Sequence, residues 1–368
     1  MDMEKLLPTS NSFEKEPISF IIFLRVVAVF LILWAHIAGW LDAWNVSWLP
    51  LDLFRKYVTV PLGIIQDCGF IGVALLFLIS GFIITYVAQV ESRKEFAIKR
   101  FFRIYPPLIF SIILIIVFFL IYSYVTQLHV YIQDFNAFEI FTSFTLANYF
   151  FTPQFVINAV AWILVVLVLF YISCFIILPM LKKHPKTSVG ILIVFTILTI
   201  TLSKSFGGVF FLFAVSVSYF PYLILGQILY YWWTRRISTL EGIVFSLLAY
   251  LVSVQGLLMV NSDFYSVANS YGISFVYAYL IFLVTLLISE KIRVGQIFGF
   301  YSKISYSFFL NNGVGMEFIS IFFPLIGFFP SLIIALTVLT IISYLFWRFV
   351  EMPFRKFSRR IVNYLKTK

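Results

Sequence analysis

An arginine and a histidine lie inside the first long apolar segment of the chain, which runs from Ile18 to Trp40. Arg25 and His36 are eleven positions apart. At about 100° per residue they leave the same face of a helix, about 16.5 Å apart along its axis. An arginine at the bilayer centre costs about 2.5 to 3.5 kcal/mol on insertion scales, which indicates a use for it. The pair predicts a column with a fixed cation at one end and a titratable imidazole at the other.

A lone histidine near a helix end is more often structural, but an imidazole on this shared face could take a proton from an alcohol and return it to a leaving group.

A second group of chemically useful residues follows the second apolar segment. Arg100 and Arg103 are three positions apart, Lys99 adds a third cation, and Pro106 is expected to end or kink the helix that carries them. Arginine holds phosphate groups through paired donors, so the cluster suits a phosphate ligand. The same pattern is typical of a basic anchor at the cytoplasmic surface of a membrane, and the residues alone leave both interpretations open.

The composition indicates a membrane protein with several spans. Of the 368 residues, 62% are hydrophobic and only 11% are charged, and apolar runs near the length that crosses a bilayer recur along the chain. The formal net charge of +10 does not indicate nucleic-acid binding, because the basic residues fall in short clusters between the apolar runs. The two cysteines, Cys68 and Cys174, form neither a metal-binding spacing nor a disulfide framework, and no metal is predicted.

The predicted fold class is an all-α polytopic membrane protein with about ten transmembrane helices. Each span is recognised by an uninterrupted apolar run. The predicted spans are residues 18–40, 62–90, 106–127, 158–180, 188–203, 208–231, 240–260, 271–289, 304–322 and 330–350.

Most of the 26 basic residues fall on the cytoplasmic side if the N-terminus is placed there, so both termini are predicted to be cytoplasmic. Residues 1–17 form a polar tail that does not resemble a cleaved signal peptide, and residues 351–368 form a basic tail. The chain is predicted to be one membrane domain, residues 1–368, with no appended soluble domain. The longest external segments, Leu41–Pro61 and Leu128–Ile157, are rich in aromatic residues and could cap a cavity that faces outward.

Five motifs, in order along nearly the whole chain, resemble the acyltransferase 3 family of bacterial membrane O-acyltransferases. These enzymes modify sugars of lipopolysaccharide O-antigens, capsules, exopolysaccharides and peptidoglycan. The motifs are Arg25 and His36 with ten residues between them, Gly72–Thr85 (GVALLFLISGFIIT), Lys99–Pro106 (KRFFRIYP), Lys303–Leu310 (KISYSFFL) and Phe349–Phe354 (FVEMPF).

The resemblance implies an enzyme of the cytoplasmic (inner) membrane that takes an acyl group, expected to be acetyl, from cytoplasmic acyl-coenzyme A. The acceptor would be a hydroxyl of a surface or lipid-linked glycan at the outer side, and the partners would be the donor, this glycan and membrane lipids, with no nucleic acid. Arg100 and Arg103, with Lys99, would hold the nucleotide phosphates of acetyl-CoA, and Ser80 of the second motif is counted with these donor-binding residues. No metal or redox cofactor is implied.

The resemblance also implies the catalytic roles. The pantetheine arm would thread between helices towards His36, which would act as general base on the acceptor hydroxyl or carry the acyl group transiently, and both routes remain open. Arg25 would steady the thioester oxygen or a phosphate, and its charge would favour the neutral form of His36.

Two positions depart from the family pattern. Many relatives carry an acidic residue shortly after the tryptophan of the fourth span, whereas Trp162 is followed by apolar residues only up to Tyr171. Many relatives also end the fourth motif with a histidine where this chain has Asn312. An amide donates and accepts hydrogen bonds but is not a base at neutral pH, so we expect His36 to be the one catalytic imidazole in the membrane. Trp162 and Asn312 are therefore assigned to substrate or structural support.

Two acidic residues lie in or beside the last two predicted spans. Glu317 would be costly if it faced lipid, so we expect it to face the interior or water, as a candidate partner of Arg25. Glu351 follows the last span, where it could pair with Arg348 or Arg355, and a structural or donor-positioning role is predicted for it.

Two other classes of function fit the residues. An intramembrane arginine and histidine could also line the path of a transporter or flippase for glycan or lipid precursors. Such a protein would need neither the cluster around Arg100 nor an acyl donor, so dependence on acyl-coenzyme A separates the two classes. A non-catalytic scaffold that keeps the fold would tolerate substitution of His36.

Overall fold

The computed structural model describes residues 19–151, 154–261 and 270–367, and the predicted tail at residues 1–17 lies outside them. The chain is 85% helical, with no strand among the described residues. This confirms the all-α fold class. The helices are α1 (Ser19–Ala43), α2 (Leu49–Phe54), α3 (Gly69–Val90), α4 (Arg93–Thr126), α5 (Ala137–Thr145), α6 (Trp162–Ile176), α7 (Leu178–Lys183), α8 (Pro185–Thr201), α9 (Gly207–Val217), α10 (Phe220–Trp233), α11 (Thr239–Met259), α12 (Ser270–Leu287), α13 (Gln296–Leu310), α14 (Asn312–Ile326), α15 (Phe328–Phe346) and α16 (Met352–Thr367).

Eight helical segments of the described residues are long and apolar enough to cross a membrane. A ninth is added if α13 and α14, which meet at a bend of 75°, count as one broken span. The eight segments are Ser19–Ala43, Gln66–Val90, Arg93–Thr126, Ala159–Ile176, Gly207–Trp233, Thr239–Met259, Ser270–Leu287 and Phe328–Lys366.

Two of the ten predicted spans differ from simple transmembrane helices. The segment predicted at residues 188–203 is α8, an apolar helix of only 17 residues. The span predicted at residues 304–322 begins earlier, at Gln296, and is broken in the middle. Apolar composition predicts both segments correctly as helices, but it contains no information on the bend.

The described residues divide into two compact units. The first comprises the residues up to Glu91 together with Leu169–Gly207 and Phe213–Ser302. The second comprises Ser92–Val168, Gly208–Leu212 and the residues from Lys303 onwards.

The core of the first unit is built around α3, which packs against α1, α10 and α12. Phe20 of α1 makes edge-to-face contacts with Phe82 of α3 and Phe282 of α12, with ring centroids 5.6 and 5.9 Å apart. Trp233 of α10 joins the same cluster, 5.5 Å from Phe82. Such aromatic pairs add specific geometry to the burial of apolar surface, so they hold four helices at this end of the unit.

In the second unit α4 packs against α5 and α16, and α14 packs against α15. α4 begins with a capping box in which Ser92 and Glu95 satisfy each other's backbone N–H groups. A single residue, Gly327 with φ of 78°, connects α14 to α15, which folds the two helices into an antiparallel pair. The predicted tail at residues 351–368 forms α16 as far as it is described, and this helix lies along α4.

Candidate active site

Arg25 and His36 lie in one uninterrupted helix, α1, and both are half-buried. Because the helix is continuous, the column predicted from their spacing exists, with the two Cα atoms about 16.5 Å apart along the axis. Each side chain is therefore enclosed by protein on part of its surface and open on the rest, as a residue that meets a substrate must be.

The orientation of the column is set by close packing of α1 on α3. A Cβ atom added to Gly69 would lie 2.4 Å from Cβ of Ala35, the neighbour of His36. A Cβ atom added to Gly72 would lie 2.6 Å from the backbone oxygen of Ala28. Only glycine permits so close an approach, so these two glycines fix the rotation of α1 at the turns that carry His36 and the residues before it.

Ser80 lies at the other end of this helix pair. The chain directions of α1 and α3 are opposite, since Gly69 meets Ala35 while Phe82 meets Phe20. Ser80 of α3, which is half-buried, is thus level with the Arg25 end of the column and not with His36. The role assigned to Ser80 from the sequence, donor binding together with Lys99, Arg100 and Arg103, remains a prediction.

A second close crossing locks α3 against α10. A Cβ atom on Gly81 would lie 1.9 Å from the backbone oxygen of Leu223, and one on Gly226 would lie 2.1 Å from that of Leu78. The two helices therefore touch backbone to backbone, one residue beyond Ser80. This contact leaves α3 little freedom to shift under a bound substrate.

A charged cluster follows the His36 end of α1. The guanidinium of Arg55 binds Asp42 through two hydrogen bonds of 2.8 and 2.7 Å and also donates to Asp67 at 2.7 Å. Asp42 belongs to the last turn of α1 and Asp67 lies two residues before α3, so Arg55 connects the end of one helix to the start of the other. The two carboxylates raise the pKa of Arg55, mainly through their hydrogen bonds to the guanidinium and to a smaller extent through their negative charge. Arg55 therefore remains a cation. We call these three residues the arginine clamp.

The backbone at the clamp is strained. Gln66, Asp67 and Cys68 have positive φ values of 54°, 47° and 74°, a region that residues other than glycine rarely adopt. Three successive residues keep this unfavourable conformation only where surrounding contacts stabilise it. The hydrogen bonds from Arg55 to Asp67 are such contacts. This turn delivers the chain into α3 at Gly69, opposite Ala35.

No role for the clamp follows from the sequence alone, because its members are separated by 13 and 12 positions in an irregular segment. The sequence feature that could have indicated the clamp is the order of its residues. One acidic residue lies near the end of the helix that carries His36, another lies just before Gly69, and a single arginine lies between them.

The basic cluster of the second unit lies in the first turns of α4. Lys99, Arg100 and Arg103 are each half-buried, and the guanidinium of Arg100 lies 5.5 Å from the ring centre of Phe96. α4 continues to Thr126 with Pro106 inside it, so Pro106 does not end the helix, and a kink at this position remains a prediction. Membrane helices tolerate internal proline because neighbouring groups satisfy the freed carbonyls.

Glu351 is buried in the second unit and is part of the same charged region. It accepts a hydrogen bond from Oγ of Ser307 and lies within electrostatic range of Arg103 and Arg355. Pairing of Glu351 with Arg348 or Arg355 remains a prediction, while the electrostatic interaction with Arg103 relates Glu351 to the basic cluster of α4. A donor-positioning role for Glu351 remains a prediction.

The bend between α13 and α14 is held by buried polar side chains. The backbone oxygen of Leu310 accepts hydrogen bonds from Oγ of Ser111 at 3.3 Å and Nδ2 of Asn158 at 3.1 Å. Ser111 also donates to Oδ1 of Asn311 at 3.0 Å. These donors occupy a carbonyl that a helix would use for itself, which accounts for the break. Asn312 begins α14 fully buried, and neither atom of its amide has a hydrogen-bond partner within the described residues.

The remaining predicted residues lie on α6 and α14. Trp162 begins α6 and is half-buried, four residues after Asn158. Glu317 is half-buried in α14 of the second unit, whereas Arg25 belongs to the first unit. Among the described residues no group of three or more His, Cys, Asp or Glu side chains could hold a metal ion.

These features define the class: a helical, multi-pass membrane protein with a half-buried Arg and His column on its first helix and a basic cluster at the start of its fourth helix. Residues 18–348 match the family model Acyl_transf_3, described as an acyltransferase domain. Since the match covers nearly the whole chain, the protein belongs to the acyltransferase 3 family, and its general function is acyl transfer. Searches of curated proteins and of solved structures gave no significant match.

Proposed function

We propose that this acyltransferase moves an acetyl group from cytoplasmic acetyl-CoA to a hydroxyl of a cell-envelope glycan, such as an O-antigen, capsule or exopolysaccharide. The observation that carries the proposal is the continuous α1 helix, which holds Arg25 and His36 in one half-buried column. The distribution of basic residues supports cytoplasmic termini, and thereby a His36 end that faces the outer leaflet of the bacterial inner membrane.

His36 is the residue that we assign to the chemistry. The acceptor oxygen attacks the thioester carbonyl carbon, the C–S bond breaks, and the new ester and free coenzyme A thiol are the products. His36 takes the proton from the attacking hydroxyl and returns it to the departing sulfur, so no proton is left over. The alternative of a transient acyl-histidine uses the same imidazole as nucleophile.

Arg25 has a different part in this proposal. Because α1 is unbroken between them, Arg25 stays about 16.5 Å from His36 along the axis, too far for both to act on one carbonyl group. We therefore assign Arg25 to a polar group of the donor away from the thioester. Ser80, at the same level of α3, is its companion there.

We assign recognition of the donor's nucleotide to the basic residues of α4. Lys99, Arg100 and Arg103 occupy consecutive turns of α4, and arginine binds phosphate oxygens with two parallel N–H donors. Glu351 lies within electrostatic range of Arg103, and we assign it to orienting that guanidinium. The aromatic rings near the His36 end of α1 suit a sugar acceptor: Trp34 lies 5.6 Å from Trp48, with both rings in the first unit.

The test is transfer of labelled acetate from acetyl-CoA to envelope polysaccharide by sealed membrane vesicles. Acetyl-CoA does not cross membranes, so inverted vesicles expose the cytoplasmic donor site to it and right-side-out vesicles do not. We expect label in inverted vesicles only, and a fall of about 10² to 10⁴-fold for His36→Gln, which removes the base but keeps a polar side chain.

His129→Gln is the matched control, because His129 is an exposed loop histidine beside Asp134. It should retain full transfer. Equal loss of label with both substitutions, or full transfer by His36→Gln, would remove His36 from the chemistry. Transport of a glycan precursor without any need for acetyl-CoA would replace the proposal with a flippase.

A further inference from the structure

The last helix of the protein, α16, has two faces that carry different sets of basic residues. Ser358 and Val362 are 4% and 3% exposed and mark the face that packs on α4. At about 100° per residue, Arg355 and Arg359 project about 40° and 80° from the centre of that face. The other two cations of the middle turns, Lys356 and Arg360, project about 140° and 180° away from it.

Contacts between α16 and α4 place this face opposite the basic cluster. The ammonium of Lys366 lies 2.6 Å from a carboxylate oxygen of Glu95. The ring of Phe102 lies 5.4 Å from that of Phe357 and 6.4 Å from that of Phe354, measured between centroids. The helices therefore run antiparallel, and the turn of α4 that follows Phe102 meets the turn of α16 that carries Arg355.

Three arginines and one carboxylate lie close enough there to interact electrostatically. Arg103 and Arg359 both lie within electrostatic range of Arg355, and Glu351 interacts with Arg103 and Arg355. Glu351 already accepts a hydrogen bond from Ser307. One carboxylate does not balance three guanidinium groups, so the cluster keeps a positive charge excess that a multivalent anion offsets.

We propose that Arg355 and Arg359 of α16, together with Arg103 of α4, bind the phosphate groups of the donor nucleotide. α16 is then a wall of the donor site and not a cytoplasmic tail. Arg355 and Arg359 are both exposed, as residues that admit a soluble ligand must be. Arg100 and Lys99 extend the same basic surface along α4 by one turn. This inference rests on the proposed function, since it adds residues to the recognition of coenzyme A.

Phosphate is also the headgroup chemistry of anionic lipids, and a basic helix at a membrane surface commonly binds them. The two sources differ in which face of α16 matters. Lipid attraction depends on the total charge of the helix, whereas a nucleotide site depends on the face that meets Arg103.

The experiment measures binding of coenzyme A to the full chain in lipid nanodiscs. The test variants are Arg355→Gln and Arg359→Gln, and the matched controls, with the same change of charge, are Lys356→Gln and Arg360→Gln. We expect each test variant to weaken binding by about 10 to 100-fold, as loss of a charge-assisted hydrogen bond does, and each control by less than about twofold. In acyl transfer the test variants should raise KM for acetyl-CoA with little change of kcat.

Two further probes separate the outcomes. Pantetheine, which has no phosphate, should bind all five proteins alike, and Arg359→Lys should recover part of the lost affinity because it restores charge without the planar fork. Wild-type protein that binds no coenzyme A would overturn the proposed function itself. Two results would overturn the assignment of these arginines to the donor site. One is normal binding of coenzyme A by the wild type together with equal effects of all four glutamine variants. The other is a loss of binding to phosphatidylglycerol vesicles that is confined to the test variants. Thermal unfolding of each variant in detergent shows whether the variant is folded, so that binding is compared between folded proteins. If Arg355→Gln fails to fold, Arg359→Gln, at an exposed position, provides the test.

Discussion

Removal of the arginine clamp should loosen the end of α1 that carries His36. The substitution is Arg55→Gln, which deletes the charge and the fork while keeping a polar side chain. It breaks the bonds of Arg55 to Asp67 at 2.7 and 3.1 Å and to Asp42 at 2.7 and 2.8 Å. Two carboxylates then face one another across the junction of α1 and α3 without their common cation.

The expected cost follows from the exposure of each partner. The side chain of Asp67 is only 12% exposed, so its charge-assisted bonds are worth about 1.5 to 3 kcal/mol. The side chain of Asp42 is 55% exposed, and solvent screening reduces that pair to about 0 to 1 kcal/mol. We therefore expect Arg55→Gln to lower the free energy of unfolding by about 2 to 3 kcal/mol. By the same reasoning Asp67→Asn should cost more than Asp42→Asn, and asparagine tolerates the positive φ at position 67, so that substitution tests charge alone.

The assays are denaturant unfolding in mixed micelles and acetyl transfer by membranes with matched protein levels. Displacement of His36 by a fraction of an ångström should lower kcat by about tenfold or more, while KM for acetyl-CoA stays constant because the proposed phosphate-binding residues are on α4 and α16. Lys56→Gln is the control, because it removes a charge from the residue next to Arg55. The ammonium of Lys56 lies 5.2 Å from the ring centre of Tyr57. If Arg55→Gln and Lys56→Gln unfold at the same denaturant concentration and transfer at the same rate, the clamp has neither role.

Two further substitutions test the packing that positions the site. Gly81→Ala would put a Cβ atom 1.9 Å from the oxygen of Leu223, so helix α3 or α10 must move, and we expect a loss of about 1 to 3 kcal/mol in unfolding free energy. Gly190→Ala, in the same unit with nothing within 4 Å of the new atom, should be neutral or slightly stabilising. Ser307→Ala removes the hydrogen bond to buried Glu351 and should cost about 1 to 3 kcal/mol, most of which should vanish in the double variant with Glu351→Gln, as a double-mutant cycle would measure.

Ser343→Ala is the control for the loss of a buried serine hydroxyl. Its Oγ atom is buried without a hydrogen-bond partner in the part of the chain that the structure describes, so its removal should not destabilise the protein. Equal costs for the serine variants at positions 307 and 343 would contradict the assigned bond to Glu351. An alanine at position 81 that unfolds like one at position 190 would contradict the close crossing of α3 and α10.

What could be predicted from the sequence is what depends on local geometry. Apolar runs of about 20 residues specify membrane helices because every backbone group inside a bilayer must be bonded within its own segment. The column of Arg25 and His36 follows from the helical repeat alone, and the structure contains it in α1. The basic residues of α4 and the family motifs are equally local, which is why the fold class and the family were accessible from the residues.

The tertiary structure alone decided how those local elements are held. Asp42, Arg55 and Asp67 meet because a short strained segment turns the chain back, and no periodic pattern describes such a segment. The break between α13 and α14 depends on Ser111 and Asn158, about 200 and 150 positions away from Leu310, whose carbonyl they occupy. Hydrophobicity determines which segments become helices, since burial is non-directional. Hydrogen bonds and close backbone contacts are directional and join residues that are distant in sequence, so they determine which faces of those helices meet.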